Sequence, residues 1–411
     1  MTREELLKQA LEEIYHYGNL VIQIATGVGK SKITLDIINN LTKDFHQDYR
    51  KVNPKILIVV AEKAHIKNWL DEMKKWDFQY NATIICYASL KNVRATLWDF
   101  IIFDEAHHLN TPIRKEIFET LSAVHFIFLS ATLKKDFLYY LSSIVSYGVI
   151  KCTLDDAFKN NLLREPEIIL CPLELDNIVP SEEISIKWGT GTHIVECAYR
   201  DRWRYIINKS KFPNTTLKII CTQQQKYEYI CDQYDYYRSR FMRNSHNDAL
   251  KNKWLQWGSR RKSYLGNLKT ECVRKFLGRL SDKRYICFCT SIEQANILGK
   301  NNAIHSKRKD SLDIINKFNN KEINHILAVG MAKEGVNLTD IEVGIIVQLD
   351  GEERAFIQKF GRALRADNPI QYIFYYKNTR DEEYLNNSLE GIDKKYIKEM
   401  NHEDIIRLSS L

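Results

Sequence analysis

Short apolar runs alternate with amphipathic stretches along most of this chain. Leu20–Ile24, Lys55–Ala61, Thr83–Tyr87, Trp98–Phe103 and His125–Leu129 are of strand length and apolar at nearly every position. That pattern predicts parallel strands covered on both faces. Between them, apolar residues recur at helical spacing: Leu6, Leu7, Ala10, Leu11 and Ile14 within 3–16; Ile33, Leu35, Ile37 and Ile38 after Ser31; Ile66, Trp69, Leu70 and Met73; and the stretch Ile113–Leu121. Residues 152–183 turn irregular around a strand-like Ile168–Leu175, and 184–270 lose the rhythm. Alternation then returns with a helix over Glu271–Leu280, strands at Arg284–Cys289, Ala303–Ser306, His325–Val329, Val343–Gln348 and Tyr372–Tyr376, and a helix over Leu312–Phe318. The expected fold is α/β, with parallel sheets before and after a differently built middle.

The junctions between these elements carry the candidate chemistry. After the first run comes Thr26-Gly-Val-Gly-Lys-Ser31, with Lys30 and Ser31 opening a helix. Strand, glycine turn and helix start together form a phosphate cradle, because free N–H groups and the helix dipole favour an anion. Thr26, Gly27, Val28 and Gly29 would wrap the phosphates, Lys30 would reach the β- and γ-phosphates, and Ser31 would ligate Mg²⁺. The full pattern has a glycine where this chain has Ile24. The fourth run ends in Asp104-Glu105-Ala106-His107. Ligands of open parallel sheets bind at the carboxyl ends of strands. There Asp104 would hold Mg²⁺, and Glu105 would orient or deprotonate a water. The fifth run leaves through Ser130-Ala131-Thr132, a hydroxyl cluster able to relay the state of the nucleotide and equally able to cap a helix before Leu133. Thr290 and Ser291 start a helix, a position suited to a backbone phosphate. In Phe356–Arg365, Arg362 and Arg365 lie three apart on one helical face and could deliver guanidinium charge to a γ-phosphate.

Charge changes the reading of the middle. The 411 residues carry a net charge of +8, and residues 181–270 alone hold 17 Lys and Arg against 8 Asp and Glu, so the remainder is near neutral. The block also holds Trp188, Trp203, Trp254 and Trp257. Arginines interleaved with aromatics suit a nucleic acid, with rings on bases and guanidiniums on phosphates. They suit equally a helical hairpin whose rings pack together and whose charges are solvated. Arg202, Arg204, Arg238, Arg240, Arg260, Arg261 and Lys262 are the candidates. Hydrophobic content of 44% and charged content of 27% are those of a globular protein, and no apolar run reaches the roughly 20 residues of a membrane span. No membrane partner and no signal peptide are expected. The nine cysteines contain no Cys-x-x-Cys pair, and His193 with Cys197 lacks a second pair, so no structural zinc is expected.

Thr-Gly-Val-Gly-Lys-Ser, Asp-Glu-Ala-His and Ser-Ala-Thr, in this order and spacing, resemble motifs I, II and III of superfamily 2 helicases of the DEAH-like kind. Leu57–Lys63 is similar to motif Ia, with Lys63 as its nucleic-acid contact, although Ala61-Glu62 replaces the commoner Pro-Thr. Cys287–Ser291 is similar to motif IV, and Gly330–Leu338 to motif V, which adds Gly335 and Asn337 to the nucleotide set. Phe356–Arg365 resembles motif VI, adding Gln358, with Lys359 in place of its first arginine. The family's glutamine-plus-aromatic motif is not clear ahead of the loop.

The resemblance implies two RecA-like lobes with ATP and Mg²⁺ between them and nucleic acid across their tops. Expected boundaries are 1–165 for the first lobe, 166–183 for a crossing, 184–270 for a basic, aromatic and largely helical insertion, and 271–411 for the second lobe. Lys30, Asp104, Glu105, Gln358, Arg362 and Arg365 would form the hydrolytic site, while His107, Ser130 and Thr132 would couple hydrolysis to grip. The implied activity is that of a helicase or translocase on DNA, favoured over RNA. The alternative is the motor of a restriction–modification or nuclease assembly that moves on duplex DNA without unwinding it. No covalent nuclease half is expected. A separate nuclease, replication or recombination partner fits, in the cytoplasm of a bacterial or phage-infected cell.

Overall fold

The computed structural model describes residues 2–49, 53–187, 193–201, 211, 214–329, 338–349, 368–390, 392–401, 403, 404 and 407. Its first helix, α1 (Arg3–Tyr17), starts on a capping box in which Glu5 N donates to Thr2 Oγ1 at 3.1 Å and Thr2 N to Glu5 Oε2 at 2.8 Å. It is followed by β1 (Leu20–Ile24), α2 (Lys30–Tyr49), β2 (Ile56–Val60), α3 (Lys63–Lys75), β3 (Ala82–Cys86) and β4 (Leu97–Phe103). Then come α4 (Pro112–Phe118), β5 (Ser122–Ser130), α5 (Lys135–Ser142), β6 (Gly148–Cys152) and α6 (Leu154–Lys159).

The six strands form one parallel sheet in the order β3-β2-β4-β5-β1-β6. Every residue of β2, Ile-Leu-Ile-Val-Val, is buried, as a strand covered on both faces requires. One face packs Leu20, Ile22 and Ile24 against Leu6, Ala10 and Ile14 of α1 and Ile33, Ile37 and Ile38 of α2. The other holds a block of phenylalanines, with Phe103 stacked on Phe128 at 5.4 Å and edge-on to Phe118 at 5.7 Å. α1 lies so close to β6 that a Cβ on Gly148 would come within 2.5 Å of Glu13.

Beyond α6, β7 (Glu167–Leu173) leaves this sheet and joins the other one. Next come β8 (Glu182–Lys187), β9 (His193–Ala198), β10 (Thr215–Cys221), α7 (Gln223–Arg243), α8 (Asp248–Leu268) and α9 (Thr270–Leu277). The remaining elements are β11 (Tyr285–Phe288), α10 (Ile292–Gly299), β12 (Ala303–His305), α11 (Ser311–Asn319), β13 (His325–Val329), β14 (Val343–Ile346), β15 (Ile370–Tyr376), α12 (Arg380–Leu389) and β16 (Ile397–Glu399). The second parallel sheet runs β12-β13-β11-β14-β15-β7-β16. Two parallel α/β sheets, each with helices on its faces, are the two-lobe fold the sequence pattern predicts.

The middle is built differently from the sequence expectation. The stretch 166–183 opens with β7, a strand inside the second sheet. Within 184–270, expected to be largely helical, β8, β10 and β9 form a small sheet ahead of the two long helices of the α7–α8 pair. In β8 and β9 a half-buried, charge-bearing alternation hides the strands from a search for apolar runs. The lobes also touch. Tyr396, just before β16, packs edge-on against Phe158 of α6 at 5.3 Å, and its hydroxyl donates to Glu165 Oε1 at 2.9 Å.

Candidate nucleotide site and nucleic-acid interface

Parallel pairing puts the carboxyl ends of β1, β4 and β5 on one edge of the first sheet, and each ends in one of the predicted clusters. The loop after β1 makes two turns that only glycine takes without strain, Gly27 at φ +97° and Gly29 at φ +111°. A Cβ on Gly29 would have nothing within 4 Å, so the space beside this glycine is open. Arg3 Nε of α1 donates to Val28 O at 3.1 Å and braces the loop from behind. Lys30 Nζ, at the first position of α2, donates to Ile24 O at 3.3 Å and so lies folded back over the loop. Ser31 follows in the same turn, and Thr26 Oγ1 is a buried oxygen without a hydrogen-bond partner.

At the end of β4 the Asp104 carboxylate is held at both oxygens. Trp69 Nε1 of α3 donates to Oδ2 at 2.9 Å and Glu105 N to Oδ1 at 3.0 Å, while Tyr87 Oη donates to the Asp104 carbonyl at 3.0 Å. Burial first, then the Glu105 charge, push the Asp104 carboxyl above its usual range. The Trp69 hydrogen bond, first, and then the Lys30 ammonium oppose them. β1 and β4 both flank β5, so the loop after β1 and the acid after β4 leave the same edge of the sheet. Glu105 sits at φ +49°, a left-handed conformation uncommon for a non-glycine residue and frequent where strain serves a site.

His107 Nδ1 lies 3.3 Å from Glu105 Oε2 and 3.4 Å from Ser130 Oγ, and Ser130 Oγ donates to Thr132 O at 2.8 Å. The hydroxyl cluster thus reaches the acidic cluster through one imidazole. A cavity of about 300 Å³ beside it is lined by Gln23, Ala25 and Thr132 of the first lobe and by Ser388, Glu390 and Ile392 from α12 and beyond. The glycine loop Thr26–Ser31 with its unpartnered Thr26 hydroxyl, the buried Asp104 carboxylate on the same sheet edge, and the Glu105 carboxylate beside it fit a nucleotide with a divalent cation.

The sequence pattern places Trp69 on the core face of its helix, and it is 3% exposed. Apolar periodicity cannot reveal that its one polar atom serves Asp104. Leu70, expected on the same face, is 53% exposed instead. His65, a turn earlier, is buried with no hydrogen bond to either ring nitrogen. A Trp69→Phe variant keeps the packing and removes the donor, a loss of about 1.5–3 kcal/mol for a bond to a charged group. The expected result is an about tenfold higher Mg²⁺ concentration for half-maximal nucleotide binding, read by a fluorescent analogue, with metal-free affinity unchanged. An unaltered Mg²⁺ titration would rule out this role.

The other candidates divide. Lys63 is exposed at the start of α3. Ser291 spends its side chain capping α10, accepting from Gln294 N, and Thr290 N donates to Gln294 Oε1 at 2.8 Å. Thr290 packs so tightly over Gly266 of α8 that a Cβ there would lie 2.1 Å from its Oγ1. These two are tied to the fold by their own helix start. Arg238, Arg240 and Arg260 are exposed on the α7–α8 pair and Lys262 is half-buried. Arg261 is 8% exposed, its guanidinium 4.2 Å from the centre of the Tyr234 ring. Arg202, Arg204, Gly335, Asn337, Gln358, Arg362 and Arg365 lie outside the described residues.

Residues 2–96 match the family model described as type III restriction enzyme, res subunit, and residues 268–367 match the helicase conserved C-terminal domain. A putative ATP-dependent RNA helicase of Methanocaldococcus jannaschii is 30% identical over 111 residues, 26% of this chain and 14% of that protein. The chain therefore spans about a seventh of that relative's length. Among solved structures, S. cerevisiae Dbp5 bound to RNA and ADP BeF3 superposes with a TM-score of 0.57 at 10% identity, over 99% of this chain and 93% of that one. The Pyrococcus furiosus Hef helicase domain gives a TM-score of 0.48 at 13% identity, over 94% and 97% of the two chains. The Dbp5 likeness is one of fold. The two family models match in order, one on each of the two α/β lobes, and in that order the chain resembles the helicases of superfamily 2.

Proposed function

We propose that this protein is an ATP- and Mg²⁺-dependent motor on nucleic acid, a helicase or translocase. The observation that carries the reading is that β1 and β4 both flank β5, so the Thr26–Ser31 loop and the Asp104–Glu105 pair leave the same edge of one sheet. In this reading the backbone of Thr26–Gly29 and Lys30 bind the β- and γ-phosphates. Ser31 and Asp104 hold Mg²⁺, which when bound neutralises phosphate charge. Glu105 orients the attacking water or takes its proton, and its left-handed backbone aims the carboxylate out of the strand line. His107, between Glu105 and Ser130, carries the state of that carboxylate to the Ser130–Thr132 turn. Gln358, Arg362 and Arg365 of the second lobe would complete the site, together with Gly335 and Asn337.

DNA is the favoured track, with action in the cytoplasm. No helix among the described residues is long and apolar enough to cross a membrane. A second reading, the motor subunit of a restriction–modification or nuclease assembly, is favoured by the match of residues 2–96 to a restriction-enzyme res subunit model. The deciding measurement is ATP turnover at fixed salt, because phosphate contacts depend steeply on ionic strength. Single- and double-stranded DNA and RNA are added in turn. Acceleration by at least one polynucleotide is expected, and stimulation by duplex DNA without strand separation would select the second reading. No acceleration by any of the four would overturn both.

A further inference from the structure

We propose that the α7–α8 pair is a grip for the phosphate backbone of duplex nucleic acid, one that reads no bases. The inference rests on the nucleic-acid reading above and names which surface and which form of the polymer it concerns. The two helices have 21 residues each and are joined by Asn244–Asn247, with Asn247 Oδ1 accepting from Leu250 N at 3.0 Å to start α8. At 1.5 Å per residue each is about 30 Å long.

The base of the hairpin is fixed in the second lobe. Arg380 N donates to Tyr227 Oη at 2.8 Å, and Gln294 Nε2 donates to Gly266 O at 2.8 Å and Thr270 Oγ1 at 2.9 Å. These bonds tie the base of the hairpin to the first turns of α10 and α12.

Along its length the rings face one another. Trp254 stacks on Phe241 at 5.6 Å and meets Tyr234 at 6.0 Å, and Trp257 stands edge-on to Tyr229 at 6.0 Å. Arg261 closes over Tyr234 from within. Tyr236, 51% exposed, has Arg240 above its ring, and its hydroxyl accepts from Arg240 Nη1 at 2.9 Å. Single strands are gripped without sequence preference chiefly by stacking bases on free aromatic faces. This hairpin has used its faces on itself.

What it presents outward is charge. Residues 236–262 contain eight basic side chains and one acidic one. Arg238, Arg240, Arg243, Lys251, Lys253 and Arg260 are exposed, and among the described residues no carboxylate forms an ion pair with any of them. Unpaired cations spread around a rod some 30 Å long complement a polyanion carrying a charge about every 1.7 Å of its axis, the density of duplex DNA.

The test compares the full chain with a variant carrying Arg238→Gln, Arg240→Gln, Lys251→Gln and Lys253→Gln, all exposed and outside the nucleotide site. Binding of a labelled duplex and of its single strand is measured across a salt series, alongside binding of a fluorescent ATP analogue. The expected result is a duplex affinity at least about tenfold weaker in the variant, and a slope of log affinity against log salt reduced by about 2–4. Single-strand and nucleotide binding should be unchanged. Equal duplex slopes in the two proteins would overturn the assignment, and so would a single-strand loss as large as the duplex loss. A parent chain that binds neither polymer would instead sink the nucleic-acid reading beneath it.

Discussion

Lys30→Ala is expected to lower ATP turnover by about 10²–10³-fold or more and to weaken nucleotide binding with it. The ammonium lies in the loop proposed to take the phosphates, at the sheet edge that also carries Asp104, so its removal would strip the bound anion of compensating charge. Glu105→Gln should behave differently. Glutamine matches the carboxylate in shape and cannot accept a proton, so turnover should fall by about 10²–10⁴-fold while nucleotide stays bound. Single-turnover hydrolysis with parallel binding titrations separates the two. Full turnover in Lys30→Ala, or lost nucleotide binding in Glu105→Gln, would show that the roles are wrongly divided.

The largest effect on stability should come from Lys269, between α8 and α9. It is 0% exposed, and its ammonium donates to Val347 O at 2.8 Å, Gln348 Oε1 at 3.1 Å, Phe374 O at 3.1 Å and Asp381 Oδ2 at 2.6 Å. Burial pushes its pKa down, and the Asp381 carboxylate opposes that shift. Gln348 Nε2 completes the network on Asp381 Oδ1 at 2.5 Å. Lys269→Met would leave a buried carboxylate without its partner, a cost of about 3–5 kcal/mol. A melting midpoint lower by roughly 6–20 °C follows. Lys269→Met with Asp381→Leu removes both charges and should recover a large part of that shift. A single variant that melts like the parent would show that water already reaches the pair.

Much of the fold is legible in the sequence because both sheets are parallel and covered on both faces. Their strands, such as Ile56–Val60 in the first and Tyr285–Phe288 in the second, are then near-continuous apolar runs that stand out without tertiary information. β6, at a sheet edge, and β8 and β9, in the small sheet, mix buried with exposed residues and carry charges, so no such run marks them. β7 reads as a strand in isolation, yet nothing local says which of two sheets it enters. That is decided by its pairing with β15, some two hundred residues later.

The sequence alone determines the glycine turn, the acidic strand end and the order of the clusters, because backbone sterics and strand-to-helix junctions are local. Only the tertiary structure decides that Trp69 and Tyr87 hold Asp104, that Arg261 is buried while Arg238 and Arg240 are not, and that the hairpin's rings face inward. Which side of a polar or amphipathic residue is covered depends on the elements packed against it. Those elements come from distant parts of the chain, and no local pattern encodes them.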